Sequence, residues 1–119
     1  HNAEDDTSLK LIDFGLATYT YGNDLTEVIG TPQFIAPEML KRLAYGKAVD
    51  MWAIGVVLFC LLAGTFPFYD KQDRVMYDLI KRGAFRFDPR SGWLNVSLSA
   101  KDLICRLLET DPCKRYTAD

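Results

Sequence analysis

The 119-residue sequence has one histidine, at position 1, and three cysteines, scattered at positions 60, 105 and 113. None of these has the short spacing of a zinc site. An odd cysteine count without a signal-like start argues against a disulfide framework. It predicts free thiols and an intracellular setting, cytoplasmic or nuclear. Excess charge is also lacking: 14 Lys+Arg stand against 16 Asp+Glu, a formal net charge of −2. The sequence therefore has no electrostatic footprint for nucleic acid or for an anionic membrane. No apolar run reaches the roughly 20 residues of a membrane span. The longest, Met51 to Gly64, is uncharged over about 14 residues and is expected to be a buried helix rather than an anchor.

What is present is ordinary for a folded protein: 49% hydrophobic and 25% charged residues. Such a composition is not that of a disordered chain, and the length suits one domain or part of one. There is no internal repeat and no low-complexity segment.

Local patterns predict a mainly helical chain. His1 to Ser8 is polar and acidic, suited to a loop tip or frayed end. Leu9 to Ile12 partly alternates and is expected to be a half-buried strand ending at Asp13-Phe14-Gly15. Leu16 to Gln33 has no sustained period, and loops of that length are usually functional or disordered.

Four helices follow. The first runs from Pro37 to Arg42, with proline in its first turn. The second spans about Val49 to Ala63, stops at Gly64, and is apolar on every side, so a central position is expected. The third spans Asp70 to Arg82 with Val75, Met76, Leu79 and Ile80 on one face and Gly83 beyond it. The fourth is expected to start at Ser99 as N-cap, with Asp102 at the capping-box position and Leu103, Ile104, Leu107 and Leu108 facing inward. Between the last two, Phe85 to Ser97 reads as a loop with Phe85, Phe87 and Trp93 as anchors. Arg115 to Asp119 reads as the opening of a further helix capped by Thr117. Trp52 and Trp93 are expected to pack in the core, and Cys60 and Cys105 to serve as small core residues.

Asp13-Phe14-Gly15 by itself has two readings. A carboxylate at a strand end, followed by an aromatic residue and a flexible glycine, can hold a divalent metal at a sheet edge. The same tripeptide also makes a common turn. Its neighbours narrow the choice. Gly30-Thr31-Pro32-Gln33-Phe34-Ile35 leads into Ala36-Pro37-Glu38, Asp50-Met51-Trp52-Ala53-Ile54-Gly55 opens the apolar helix, and Asp111-Pro112-Cys113-Lys114-Arg115 comes last. This ordered series, covering nearly all of Leu9 to Asp119, resembles the C-terminal lobe of a eukaryotic protein kinase. Tyr45 to Trp52 and Ser99 to Ile104 resemble the Ser/Thr kinases of the calmodulin-dependent type.

The resemblance implies a partial kinase domain over residues 1–119: the helical C-lobe of an α+β domain, with one short strand and a long activation loop. It implies ATP and Mg2+ as cofactors of the complete kinase and a protein as substrate. Control by calmodulin or calcium would lie outside these residues. Asp13 would hold the magnesium that bridges the ATP phosphates. Phe14 would pack inward and set where Asp13 faces, and Gly15 would supply the freedom to do so. Thr31 would lie in the loop that receives the substrate and bond the catalytic Asp. Pro32, Phe34 and Ile35 would line the same pocket; many relatives have Tyr in place of Phe34. Glu38 and Arg115 would form a buried ion pair. Asp50 would accept N–H bonds from the catalytic loop and, without that loop, would be unpaired. Glu27 stands where many such kinases carry a phosphorylated Thr, and its charge would imitate part of a phosphate. Thr26 is the neighbouring candidate for modification.

The sequence contains no Gly-rich ATP loop, strand Lys, partner Glu helix or His-Arg-Asp loop. Truncation is the expected reason. The 119 residues alone are then expected to be inactive and to associate through exposed apolar surface. Two other readings stay open: a degenerate kinase lobe that docks partners without chemistry, and a truncated gene product without function.

Overall fold

The computed structural model describes residues 7–119; His1 to Asp6, expected to form a loop tip or frayed end, lie outside the described residues. The described fold is helical, with four α-helices: α1 (Pro37–Leu40), α2 (Ala48–Ala63), α3 (Asp73–Arg82) and α4 (Leu98–Leu107). Short 3-10 turns occupy Pro32–Phe34, Pro89–Ser91 and Trp93–Asn95.

Helix α2 is the axis of the body. Gly64 ends it in the left-handed region at φ 76°, which lets its N–H bond Cys60 O at 2.8 Å. Midway along α2, Gly55 opens a crossing point for α4: a Cβ there would lie 2.8 Å from Leu107 Cβ and 2.9 Å from Leu108 Cδ2. Around α2 the core collects Trp52, Val56, Phe59, Phe68, Met76, Ile80, Trp93 and Ile104, each at most 4% exposed. Aromatic rings build much of it. Trp52 stacks on Phe68 at 5.5 Å between centroids, and Phe59 meets Phe87 at 6.1 Å and Trp93 at 4.8 Å. The three anchors of the 85–97 stretch thus converge on one residue of α2, while two 3-10 turns replace part of the expected plain loop.

Several expectations need correction. Leu9 to Ile12 is not a strand: Leu9, Leu11 and Ile12 are 83–90% exposed. A strand needs a neighbour for its N–H and C=O groups, and the one bridge among the described residues pairs Leu25 with Tyr45 instead. Helix α1 ends at Leu40, two residues early, because Arg42 turns left-handed at φ 56° and Leu43 N–H bonds back to Glu38 O. Helix α2 is central but not enclosed, since Ile54, Val57 and Leu61 are 45–77% exposed. In α3, Met76 and Ile80 are buried while Val75 stays 38% exposed.

Helix α4 starts earlier than expected. Ser97, not Ser99, is its N-cap, and its hydroxyl accepts from Ala100 N–H at 3.1 Å. Asp102 consequently lies inside the helix and pairs with Arg106 at 3.5 Å. Leu103 and Cys105 face outward; burial takes Ile104, Leu107 and Leu108. Arg115 to Asp119 forms no helix.

Candidate functional site

The site is built around an ion pair that holds three parts of the body together. Arg115 donates from both terminal nitrogens to Glu38, Nη1 to Oε1 at 2.7 Å and Nη2 to Oε2 at 2.9 Å. Its Nη1 also reaches Ala48 O at 2.8 Å, and its Nε reaches Glu109 O at 2.9 Å. The guanidinium lies over the Trp52 ring, 5.2 Å from the centroid. Both side chains are almost sealed from solvent. A bidentate, charge-assisted pair with every nitrogen employed is the arrangement that offsets the desolvation of two buried charges. It fixes α1 against the start of α2 and the chain beyond α4. The residues just before α1 are thereby held in place.

Those residues line a cleft of about 610 Å³ between the irregular segment and the first turns of α2. Thr31, Phe34, Ile35, Lys47 and Asp50 are among the residues that line it. Thr31 caps the Pro32–Phe34 turn with its backbone, leaving its hydroxyl without a capping bond. Asp50 is exposed, and its carboxylate has no hydrogen-bond or ion-pair partner among the described residues. Phe34 meets Phe66 edge-on at 5.7 Å, so the ring is held by packing where a tyrosine would add a hydroxyl. Pro32 starts the turn at its first position but does not line the cleft.

A second, smaller hollow of about 350 Å³ brings Gly15, Thr26 and Glu27 together with Tyr45. Thr26 and Glu27 are both exposed. Burial pushes the Tyr45 phenol above its usual pKa, and the Glu27 charge adds to the effect. Nearby, Asp24 accepts from the Thr20 hydroxyl at 2.5 Å and from Tyr21 N–H at 3.3 Å. The Thr20 bond is the main reason its carboxyl lies below the usual carboxylate range.

Asp13 and Phe14 line neither space. Asp13 is exposed and left-handed at φ 64°, with Gly15 N–H 3.5 Å from its Oδ1. Phe14 is 66% exposed. It does not pack inward among the described residues. The left-handed Asp13 is an unusual conformation for a non-glycine residue, though aspartate tolerates it best. No group of three His, Cys, Asp or Glu among the described residues could hold a metal. As a single hard oxygen donor, Asp13 nevertheless fits Mg2+, which takes one or two carboxylates and otherwise water and phosphate.

Comparison with known families matches residues 2–119 to the protein kinase domain. The chain belongs to the protein kinase family. This kinase segment is 46% identical over 113 residues to calcium/calmodulin-dependent protein kinase type 1B of Homo sapiens, and equally to that of Rattus norvegicus. The match takes in 95% of the segment and 33% of either relative. It is 47% identical over 119 residues to serine/threonine-protein kinase DCLK3 of Homo sapiens, covering 98% of the segment and 18% of that protein. The kinase segment thus spans a third or less of these relatives' length. The mainly helical body agrees with a kinase C-lobe.

Sequence reasoning passed over Tyr45 as a site residue, although it lines both hollows. A tyrosine in a short turn has no periodicity to mark it, and its partners, Leu25 and Glu27, are distant in sequence.

Proposed function

We propose that these residues form the metal-binding and substrate-receiving half of an ATP-dependent protein Ser/Thr kinase. The observation that carries the reading is the shared cleft: Thr31 and an unpartnered Asp50 face one space, on a wall locked from behind by Glu38 and Arg115. Similarity to serine/threonine-protein kinase DCLK3 supports Ser/Thr specificity, as does a threonine at position 31.

In this reading Asp13 is the residue that would hold Mg2+, with Gly15 beside it giving the backbone freedom to turn. Magnesium, when bound with ATP, supplies charge neutralisation at the phosphates. Thr31, whose hydroxyl makes no capping bond, orients the catalytic Asp of the complete kinase. Phe34 and Ile35 receive the substrate residue that follows the phosphoacceptor, and Pro32 shapes the turn that carries them. Asp50 accepts N–H bonds from the catalytic loop. Glu27 supplies a fixed negative charge in place of a phosphate, with Thr26 beside it as a modification site. Protein substrate and ATP are the partners; the free thiols of Cys60, Cys105 and Cys113 suit a reducing, intracellular setting. No described helix is long and apolar enough to cross a membrane. Calmodulin, which the name of one relative carries, would act outside these residues.

Phosphoryl transfer is mostly positioning and electrostatics, and one carboxylate does not assemble it. The 119 residues by themselves are therefore expected to transfer no phosphate. A longer protein that contains them should phosphorylate a Ser/Thr peptide, and Asp13→Ala should abolish that transfer. Magnesium-dependent transfer that survives Asp13→Ala would overturn the reading.

A further inference from the structure

The segment before the helical body packs Leu25 and Ile29 against the core and is hydrogen-bonded to the body at one place. Among the described residues, every hydrogen bond from residues 8–30 to the helical body ends on Tyr45. Leu25 N–H donates to Tyr45 O at 3.0 Å, Tyr45 N–H donates to Leu25 O at 2.9 Å, and the Tyr45 phenol donates to Glu27 O at 2.5 Å. The tyrosine is 5% exposed, unlike the exposed loop around it. Its neighbour completes the seat. Gly46 is buried, and a Cβ on it would lie 2.2 Å from Gly22 O and 2.8 Å from Asn23 Oδ1. That approach is possible only without a side chain. On the other side, the Thr20 and Tyr21 bonds to Asp24 shape the tip that brings the Gly22 carbonyl to Gly46. Two elements distant in sequence are thus fitted to each other by backbone pairing, a phenol and a missing side chain.

The geometry points to Tyr45 and Gly46 as positioning residues for substrate binding: they seat residues 22–27 on the helical body and so present Glu27 and Thr31 in the conformation that accepts the peptide. Both also border the cleft, but the role assigned to them here is exerted through the segment they seat. The catalytic part of this inference rests on the kinase reading above. A loosened segment occupies its competent conformation for a smaller fraction of the time, and apparent affinity falls by that fraction. The defect should therefore appear in peptide binding and spare ATP, which this seat does not hold.

The test uses the full-length protein with two substitutions. Tyr45→Phe removes only the phenol bond, and Gly46→Ala places a methyl against the Gly22 carbonyl. The first reading is backbone hydrogen exchange. The Leu25 amide should exchange about fivefold faster in Tyr45→Phe, the effect of one hydrogen bond, and at least about tenfold faster in Gly46→Ala, while amides of α2 keep their wild-type rates. The second reading is kinetic. KM for a Ser/Thr peptide should rise several-fold in both variants, with KM for ATP unchanged; a general loss of stability would not separate the two substrates. Unchanged Leu25 exchange in both variants overturns the seat. Faster exchange with wild-type peptide KM overturns the positioning role. A wild-type protein that transfers no phosphate defeats the kinase reading and the kinetic half with it, while the exchange rates still decide the seat.

Discussion

Trp52, Val56 and Ile104 in the helical body are sealed from solvent, whereas Leu9, Leu11 and Ile12 in the leading segment are more than four-fifths exposed. Both groups are strongly apolar. The body buries its side chains because α2 has neighbours along much of its length: α4 crosses at Gly55, and the aromatic stretch 85–93 folds over Phe59. The leading segment has its hydrogen bonds to the body at Tyr45 and only Leu25 and Ile29 packed against the core. Apolar character alone does not bury a residue; it needs a facing surface that also satisfies the backbone. The division matters for function, since the body supplies the fixed wall of the cleft while the residues proposed to meet metal and modifying charge, Asp13, Thr26 and Glu27, lie on the exposed segment.

The sharpest way to break this comparison is to attack one residue in each region. Glu38→Ala leaves the Arg115 guanidinium buried and uncompensated, and should cost about 3–5 kcal/mol of stability in denaturant titration. Leu11→Ser should change it by no more than about 0.5 kcal/mol. Equal losses would show that the leading segment is packed as firmly as the body. Replacing the pair together, Glu38→Leu with Arg115→Met, should cost less than Glu38→Ala alone, because no charge is then stranded.

A smaller effect tests the entry of α4. Ser97→Ala should destabilise by about 1 kcal/mol through loss of the hydroxyl that accepts from Ala100 N–H. Ser99→Ala, already inside the helix, should lie within about 0.5 kcal/mol of wild type. Reversal of that order would move the helix start back to Ser99.

The smallest effect concerns pH and the seat between the two regions. Burial and the Glu27 charge raise the Tyr45 pKa above its ordinary value of 10.0. The folded state therefore holds this proton more tightly than the unfolded state. The associated stability is fully present below about pH 10. It is lost as pH rises from there through the folded value. Thermal melting of wild type should fall more steeply above pH 10 than that of Tyr45→Phe. Parallel curves for the two proteins would show that the phenol gains nothing from its place in the fold.

The helices were legible because their signals are local. Gly64 and Gly83 mark the ends of α2 and α3, and both are left-handed in the structure. The ion pair of Glu38 and Arg115 was legible only through the family resemblance, since 77 residues separate the partners. Ser97 and Ser99 are equally good caps by type. The choice falls to Ser97 because Val96 leaves the Trp93–Asn95 turn extended and Ser97 enters the helix directly, with Trp93 buried behind it. Phe14 and Leu9 to Ile12 depart from expectation for one reason: sequence shows that a residue is apolar, not whether anything stands opposite.

By itself the order of residues determined the family, the helical character of the chain, the glycine stops, and the types of side chain available to a phosphate-transfer site. Tertiary structure alone decided which of those side chains meet. It joined Glu38 to Arg115, brought Thr31 and Asp50 to one cleft, left Asp13 and Phe14 in solvent, and seated the leading segment on Tyr45 and Gly46. The physical reason is range. Helix propensity and capping act over a few neighbouring residues, whereas burial and long-range pairing depend on surfaces that exist only after the chain has folded.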